Sequence, residues 1–150
     1  MSSALAPKAL LERADQAAKS ARLLLEHGDT GGATSRAYYA MFDAARAALV
    51  ATGHELPKTH RGLISAFSLH LVKGGLISIE YSRDLNQAEQ LRLIADYIGD
   101  PIDRPTVSDI IARADRFVAH IRERLVPEPE PHKARAPEQP ARRRDRGPER

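Results

Sequence analysis

Six alanines constrain this chain more than any other feature. Ala33, Ala37, Ala40, Ala44, Ala47 and Ala51 recur at alternating steps of four and three residues, a spacing that puts all six on one stripe of an α-helix. A stripe of methyl groups lets another helix approach closely, so Ala33 to Thr52 reads as the central helix of a bundle. Tyr38, Met41, Phe42, Ala45 and Leu49 make a bulkier apolar stripe beside it. A helix apolar over so much of its circumference is buried on several sides. Arg36 and Asp43 break the pattern. They are seven apart and project from nearly the same face, with Tyr39 and Arg46 close to that line. On periodicity alone this is an exposed polar edge, and its charge pair is worth well under ~1 kcal/mol.

The flanking sequence supplies four more helices. Pro7 suits a first turn, where its missing N–H costs nothing, and a helix runs from there to His27 with Leu10, Ala14, Ala17, Ala21 and Leu24 on one stripe. Asp29-Thr30-Gly31-Gly32 reads as a short turn, which makes the first and central helices antiparallel neighbours. After Gly53 and a proline-broken loop, Thr59 is the expected N-cap of a third helix from His60 to Lys73, with Leu63, Ile64, Phe67 and Leu71 inward. Gly74-Gly75 stops it. Leu76-Ile77-Ser78-Ile79 reads as a buried loop, because a lone strand would have no partner. A fourth helix, Ile79 to Ile98, turns Leu85, Ala88, Leu91 and Ala95 inward; Arg92 falls at the edge of that face, four residues before Asp96. Thr106 with Asp109 resembles a capping box. The fifth helix that follows is cleanly amphipathic through Val107, Ile110, Ile111, Ala114, Phe117, Val118, Ile121 and Leu125. The expectation is an all-α, five-helix antiparallel up-and-down bundle over residues 1–126.

Composition narrows the function classes. The chain has no cysteine, which excludes disulfides, thiolate catalysis and Cys-ligated zinc. No apolar run reaches membrane-spanning length, and the N-terminus lacks the pattern of a signal peptide, so the expectation is a cytoplasmic protein without membrane contact. No histidine pair has i, i+4 spacing beside a carboxylate, so no metal site and no cofactor are expected. From Pro127 to residue 150 the chain holds six of its ten prolines. Seven basic residues there face five acidic ones, and only Arg142 to Arg146 is locally basic. This Pro/Arg-rich tail reads as disordered and solvated, since it cannot bury enough surface to offset its ordering entropy.

The residues on this frame carry a resemblance. Ser35-Arg36-Ala37-Tyr38-Tyr39-Ala40-Met41-Phe42, then Lys58-Thr59-His60-Arg61-Gly62-Leu63, then Phe67, then Arg92 with Ala95-Asp96-Tyr97 resembles the HEPN family over about residues 8–125. The resemblance implies a small helical bundle that forms a homodimer. It also implies a metal-independent endoribonuclease, often a toxin, whose active motif is an arginine followed after four to six residues by a histidine, two such motifs facing each other across the dimer cleft. The partner implied for many members is a minimal nucleotidyltransferase acting as antitoxin. A second reading is a non-catalytic HEPN partner of such a nucleotidyltransferase.

Here the motif is half met. Arg36 stands at the arginine position, and Asp43 stands where a histidine is implied. Arginine can grip a phosphate through two parallel hydrogen bonds, and histidine serves as acid or base because it titrates near neutrality. An ionised Asp43 would repel the phosphate and accept a proton only weakly, so cleavage is expected to be impaired, and Asp43→His to raise it. His60 is the other proton-transfer candidate: it follows a basic loop at a helix N-terminus, where free N–H groups attract phosphate, and its alternative is an ordinary capping-region histidine. Arg36, Tyr39, Arg46, Lys58 and Arg61 are the expected RNA- and phosphate-binding residues. Tyr38, Tyr39 and Tyr97 could stack on bases or simply pack, and Arg92 with Asp96 reads as an architectural pair.

Overall fold

The computed structural model describes residues 6–127. Five helical segments follow one another, with no strand among the described residues: α1 (Pro7–Glu26), α2 (Thr30–Ala51), α3 (His60–Ala66), α4 (Ile79–Leu93) and α5 (Arg104–Leu125). α3 continues into a π-helical turn, Phe67–Val72, and α4 into another, Ile94–Ile98. The fold is the expected all-α bundle. The tail expectation, on residues 127–150, lies outside the described residues except for Pro127.

α2 is the hub and touches all four other helices. Its alanines explain why. Ala33, Ala37, Ala40, Ala44 and Ala47 are completely buried, as are Tyr38, Met41, Ala45 and Leu49. Ala51, the last of the stripe, is exposed because the helix ends there. α1 packs along α2 through Leu10, Leu11, Ala14, Ala17, Ala18 and Ala21, and α5 packs through Val107, Ile110, Ile111, Ala114, Phe117, Val118 and Ile121. The large members of this set contribute about 1.5–3 kcal/mol each by leaving water. Two surface ion pairs join α1 to α5, Arg22–Asp115 at 3.0 Å and Arg122–Asp15 at 2.6 Å. Both are well solvated and fix register more than stability.

Helix starts differ from the sequence reading in two places. α2 begins at Thr30, because the Asp29 carboxylate accepts the Gly32 N–H at 2.8 Å and carries the first turn through both glycines. α5 begins at Arg104, and its cap is Asp103, which accepts the Thr106 N–H at 2.9 Å; Thr106 lies inside the first turn. Thr59 does cap α3, accepting from Gly62 N at 2.9 Å. Ile77 is buried in the connection to α4, as expected, while Leu76 is exposed. Arg92 departs furthest: it is 8% exposed, inside the bundle rather than at its edge.

Candidate functional site

The polar edge of α2 meets the start of α3 and the C-terminal end of α4. The loop before α3 folds tightly against the first turn of the helix, and Gly62 leaves room for it: a Cβ at this position would stand 2.8 Å from Thr59 Oγ1 and 3.1 Å from Pro57 Cβ. His60, the first residue of α3, lies on the aromatic residues of α2. Its ring stacks on Phe42 with centroids 4.4 Å apart and meets Tyr39 edge-on at 5.8 Å. Its Nδ1 is hydrogen-bonded to the Tyr38 hydroxyl at 2.9 Å. Tyr38, Tyr39, Phe42 and His60 form one cluster in which every pair of rings lies within 6.0 Å.

Cations surround these rings. Arg36 stands 5.6 Å from the Tyr39 centroid, and Arg46 5.9 Å from that of Phe42. From α4, Arg92 lies 4.8 Å from the Tyr38 centroid and 5.8 Å from that of Tyr39. Each contact of this kind is worth about 0.5–2 kcal/mol, most where water is excluded. Arg92 pairs with Asp96 at 3.4 Å, and Asp96 accepts from Ser35 Oγ at 2.7 Å, which ties α4 back to α2. Arg61 bridges to the buried Glu89 at 2.6 Å. Burial pushes the Tyr38 phenol up, helped by Glu89 and opposed by Arg92. Burial also holds His60 below the usual histidine value; the Arg92 charge adds to this and Glu89 opposes it.

The expected site residues therefore divide. Arg36 and His60, far apart in sequence, stand against the same Tyr39 ring. Arg46 and Arg61 flank the cluster, each paired to a carboxylate, and Lys58 is exposed in the loop before α3. The first-turn N–H of Gly62 is already taken by Thr59, so this part of the α3 terminus is not free for a phosphate. Asp43 shares that face of α2 but is taken up by ion pairs. It is 5% exposed and paired with Arg46 at 3.2 Å and with Arg13 of α1 at 3.8 Å. Sequence reasoning passed over Glu89 and Arg13 and put Arg92 outside the site. A signal for two of them existed: Glu89 and Arg92 follow the inward-facing Leu85 and Ala88 at helical spacing, and charges on an apolar stripe call for buried partners. Among the described residues no group of three or more His, Asp or Glu is placed to hold a metal ion, and no helix is long and apolar enough to cross a membrane.

Comparisons with known proteins identify the family. A family model described as "HEPN domain" matches residues 7–124. A Gloeobacter violaceus protein, "UPF0332 protein glr0978", is 39% identical over 111 residues, covering 73% of this chain and 87% of that one. Two Methanocaldococcus jannaschii proteins are also similar. "Putative toxin MJ0605" is 36% identical over 118 residues, covering 79% of this chain and 87% of its own length. "Putative toxin MJ0142" is 31% identical over 88 residues, covering 59% of each.

Proposed function

The chain belongs to the HEPN family, and from that membership we propose that it is an RNA-associated, toxin-like protein whose site engages a phosphodiester without a metal ion. Arg36 grips the phosphate, and His60 serves as the histidine of the pair. The observation that carries this reading is the meeting of the two residues at Tyr39, with Arg36 at 5.6 Å and His60 at 5.8 Å from its centroid. Arginine supplies a planar, bidentate phosphate donor, and a half-buried imidazole against the same Tyr39 ring is the partner that could hydrogen-bond the same group. Two relatives with the word toxin in their names support the toxin-like part. In this reading two copies of the chain pair so that their Arg36 faces line a shared cleft, and a minimal nucleotidyltransferase is the antitoxin.

One observation favours a second reading. Position 43, where the family pattern implies histidine, holds a buried carboxylate engaged by two arginines. A group so occupied is a structural tie, and cleavage by this chain is accordingly slow. In the second reading the chain keeps the HEPN surface as a non-catalytic partner of the nucleotidyltransferase.

Cleavage of a mixed-sequence RNA in EDTA separates the two. Slow cleavage that Arg36→Ala abolishes and His60→Ala lowers by about 10²-fold, through loss of one preorganised donor, is the expected result. A wild-type protein that cleaves nothing, yet co-purifies with a nucleotidyltransferase encoded beside it, would replace the first reading with the second.

A further inference from the structure

The direction of one buried hydrogen bond decides what His60 can do. Tyr38 is completely buried, and its hydroxyl has one hydrogen bond among the described residues, to His60 Nδ1. A buried O–H needs an acceptor. If Nδ1 carried the proton, the phenolic hydrogen would have none. The phenol therefore donates, Nδ1 spends its lone pair on that bond, and the imidazole proton sits on Nε2. The two ring nitrogens of an imidazole point apart, so Nε2–H is directed away from the buried phenol. It makes no hydrogen bond to the described residues.

The surroundings hold the ring neutral. The titratable and charged groups packed about it are Tyr38 and Tyr39 from α2, Arg61 from α3, and Glu89 and Arg92 from α4. Burial first, and the Arg92 charge second, disfavour the imidazolium against the opposing pull of Glu89. A neutral ring with Nδ1 occupied and Nε2 protonated has no lone pair left for a base. What it has is an N–H. Neutral histidines fixed in this way act as electrophilic donors toward developing negative charge.

We propose that His60 serves as a neutral hydrogen-bond donor, offering Nε2–H to a non-bridging phosphate oxygen of RNA, with Tyr38 as the positioning residue that fixes this tautomer. The inference rests on the RNA reading above and assigns His60's role within it. Arg36 then supplies charge and His60 a directed, uncharged donor.

Long-range ¹H–¹⁵N correlation spectra of the full chain at pH 7.5 read the tautomer without RNA and without any variant. The expected pattern is Nε2 protonated and Nδ1 not, and Tyr38→Phe, which keeps the ring in place, is expected to give a mixture. Adding a 2′-O-methyl RNA oligonucleotide, which cannot be cleaved, should shift the Nε2–H resonance. His60→Gln, whose side-chain amide retains an N–H near the Nε2 position, should bind that oligonucleotide within about threefold of wild type, and His60→Ala about tenfold more weakly, as expected for a lost hydrogen bond to a charged acceptor. An Nδ1–H tautomer in the wild-type protein overturns the proposal outright. Arg36-dependent binding that leaves the His60 resonances unmoved overturns the donor role but leaves the RNA reading standing. A wild-type protein that binds no oligonucleotide removes the RNA reading, and the donor's target with it.

Discussion

The guanidinium of Arg92 lies 4.8 Å from the centroid of the Tyr38 ring, and its Nε is buried without a hydrogen-bond partner among the described residues. The charge is held inside the bundle by aromatic faces and by Asp96, and it acts on the histidine that Tyr38 binds. An unfolded histidine titrates near ~6.5; His60 in the fold titrates lower, through burial and then Arg92. As pH falls, the unfolded chain takes up its proton first. This contribution to stability is therefore complete above about 6.5 and is lost as pH drops through that value toward the folded pKa. Urea midpoints at pH 7.5 and 5.5 should show the loss. Arg92→Met has a similar volume and removes one of the two causes, so its loss should be smaller. Equal losses in both proteins would show that Arg92 does not set the His60 equilibrium.

Asp43→His should trade stability for chemistry. The change removes a carboxylate that two arginines share. A fully buried pair broken in this way costs about 3–5 kcal/mol; Arg13 is largely exposed, so a cost of about 1–3 kcal/mol is expected, read by denaturant unfolding. The same change completes the Arg-then-His arrangement that the resemblance implies. RNA cleavage in EDTA should rise, and the rise should disappear when Arg36→Ala is added. A positioned acid or base contributes ~10²–10⁴-fold, so an unchanged rate in a folded variant would remove position 43 from the chemistry.

Gly62→Ala tests how tightly the capping loop packs against the first turn of α3. In an open helical position this substitution stabilises by about 1 kcal/mol. Here the new methyl would press on Thr59 Oγ1 and Pro57 Cβ. Displacing the cap costs about 0.5–2 kcal/mol, and the start of α3 must move. The melting temperature should fall, and the His60 signals should change with it. A higher melting temperature would mean that the loop yields without cost and that His60 is not held by this contact.

The bundle was legible because its signals are local. The alanine stripe, the apolar stripes of α1 and α5, the Thr59 cap and the glycine stops each arise from a few neighbouring residues. Errors fell where two local signals competed: Gly31-Gly32 read as a turn until the Asp29 cap carried the helix through them, and Thr106 read as a cap one turn too late. The π-helical turns at Phe67–Val72 and Ile94–Ile98 left no periodic trace. An added residue in a helical turn answers to what the helix packs against.

The sequence by itself determined the fold class, the central place of α2, and the family to which Arg36, the paired tyrosines and the His60 loop belong. These depend on spacing along one chain segment, and helical periodicity converts spacing directly into a shared face. Only the tertiary structure decided the site. It paired His60 with Tyr38, gave Asp43 to Arg13 and Arg46, and set Arg92 over the tyrosine rings. A side chain's chemistry depends on the groups that replace water around it. For these residues, most of those groups come from other helices, at sequence separations that no local pattern encodes.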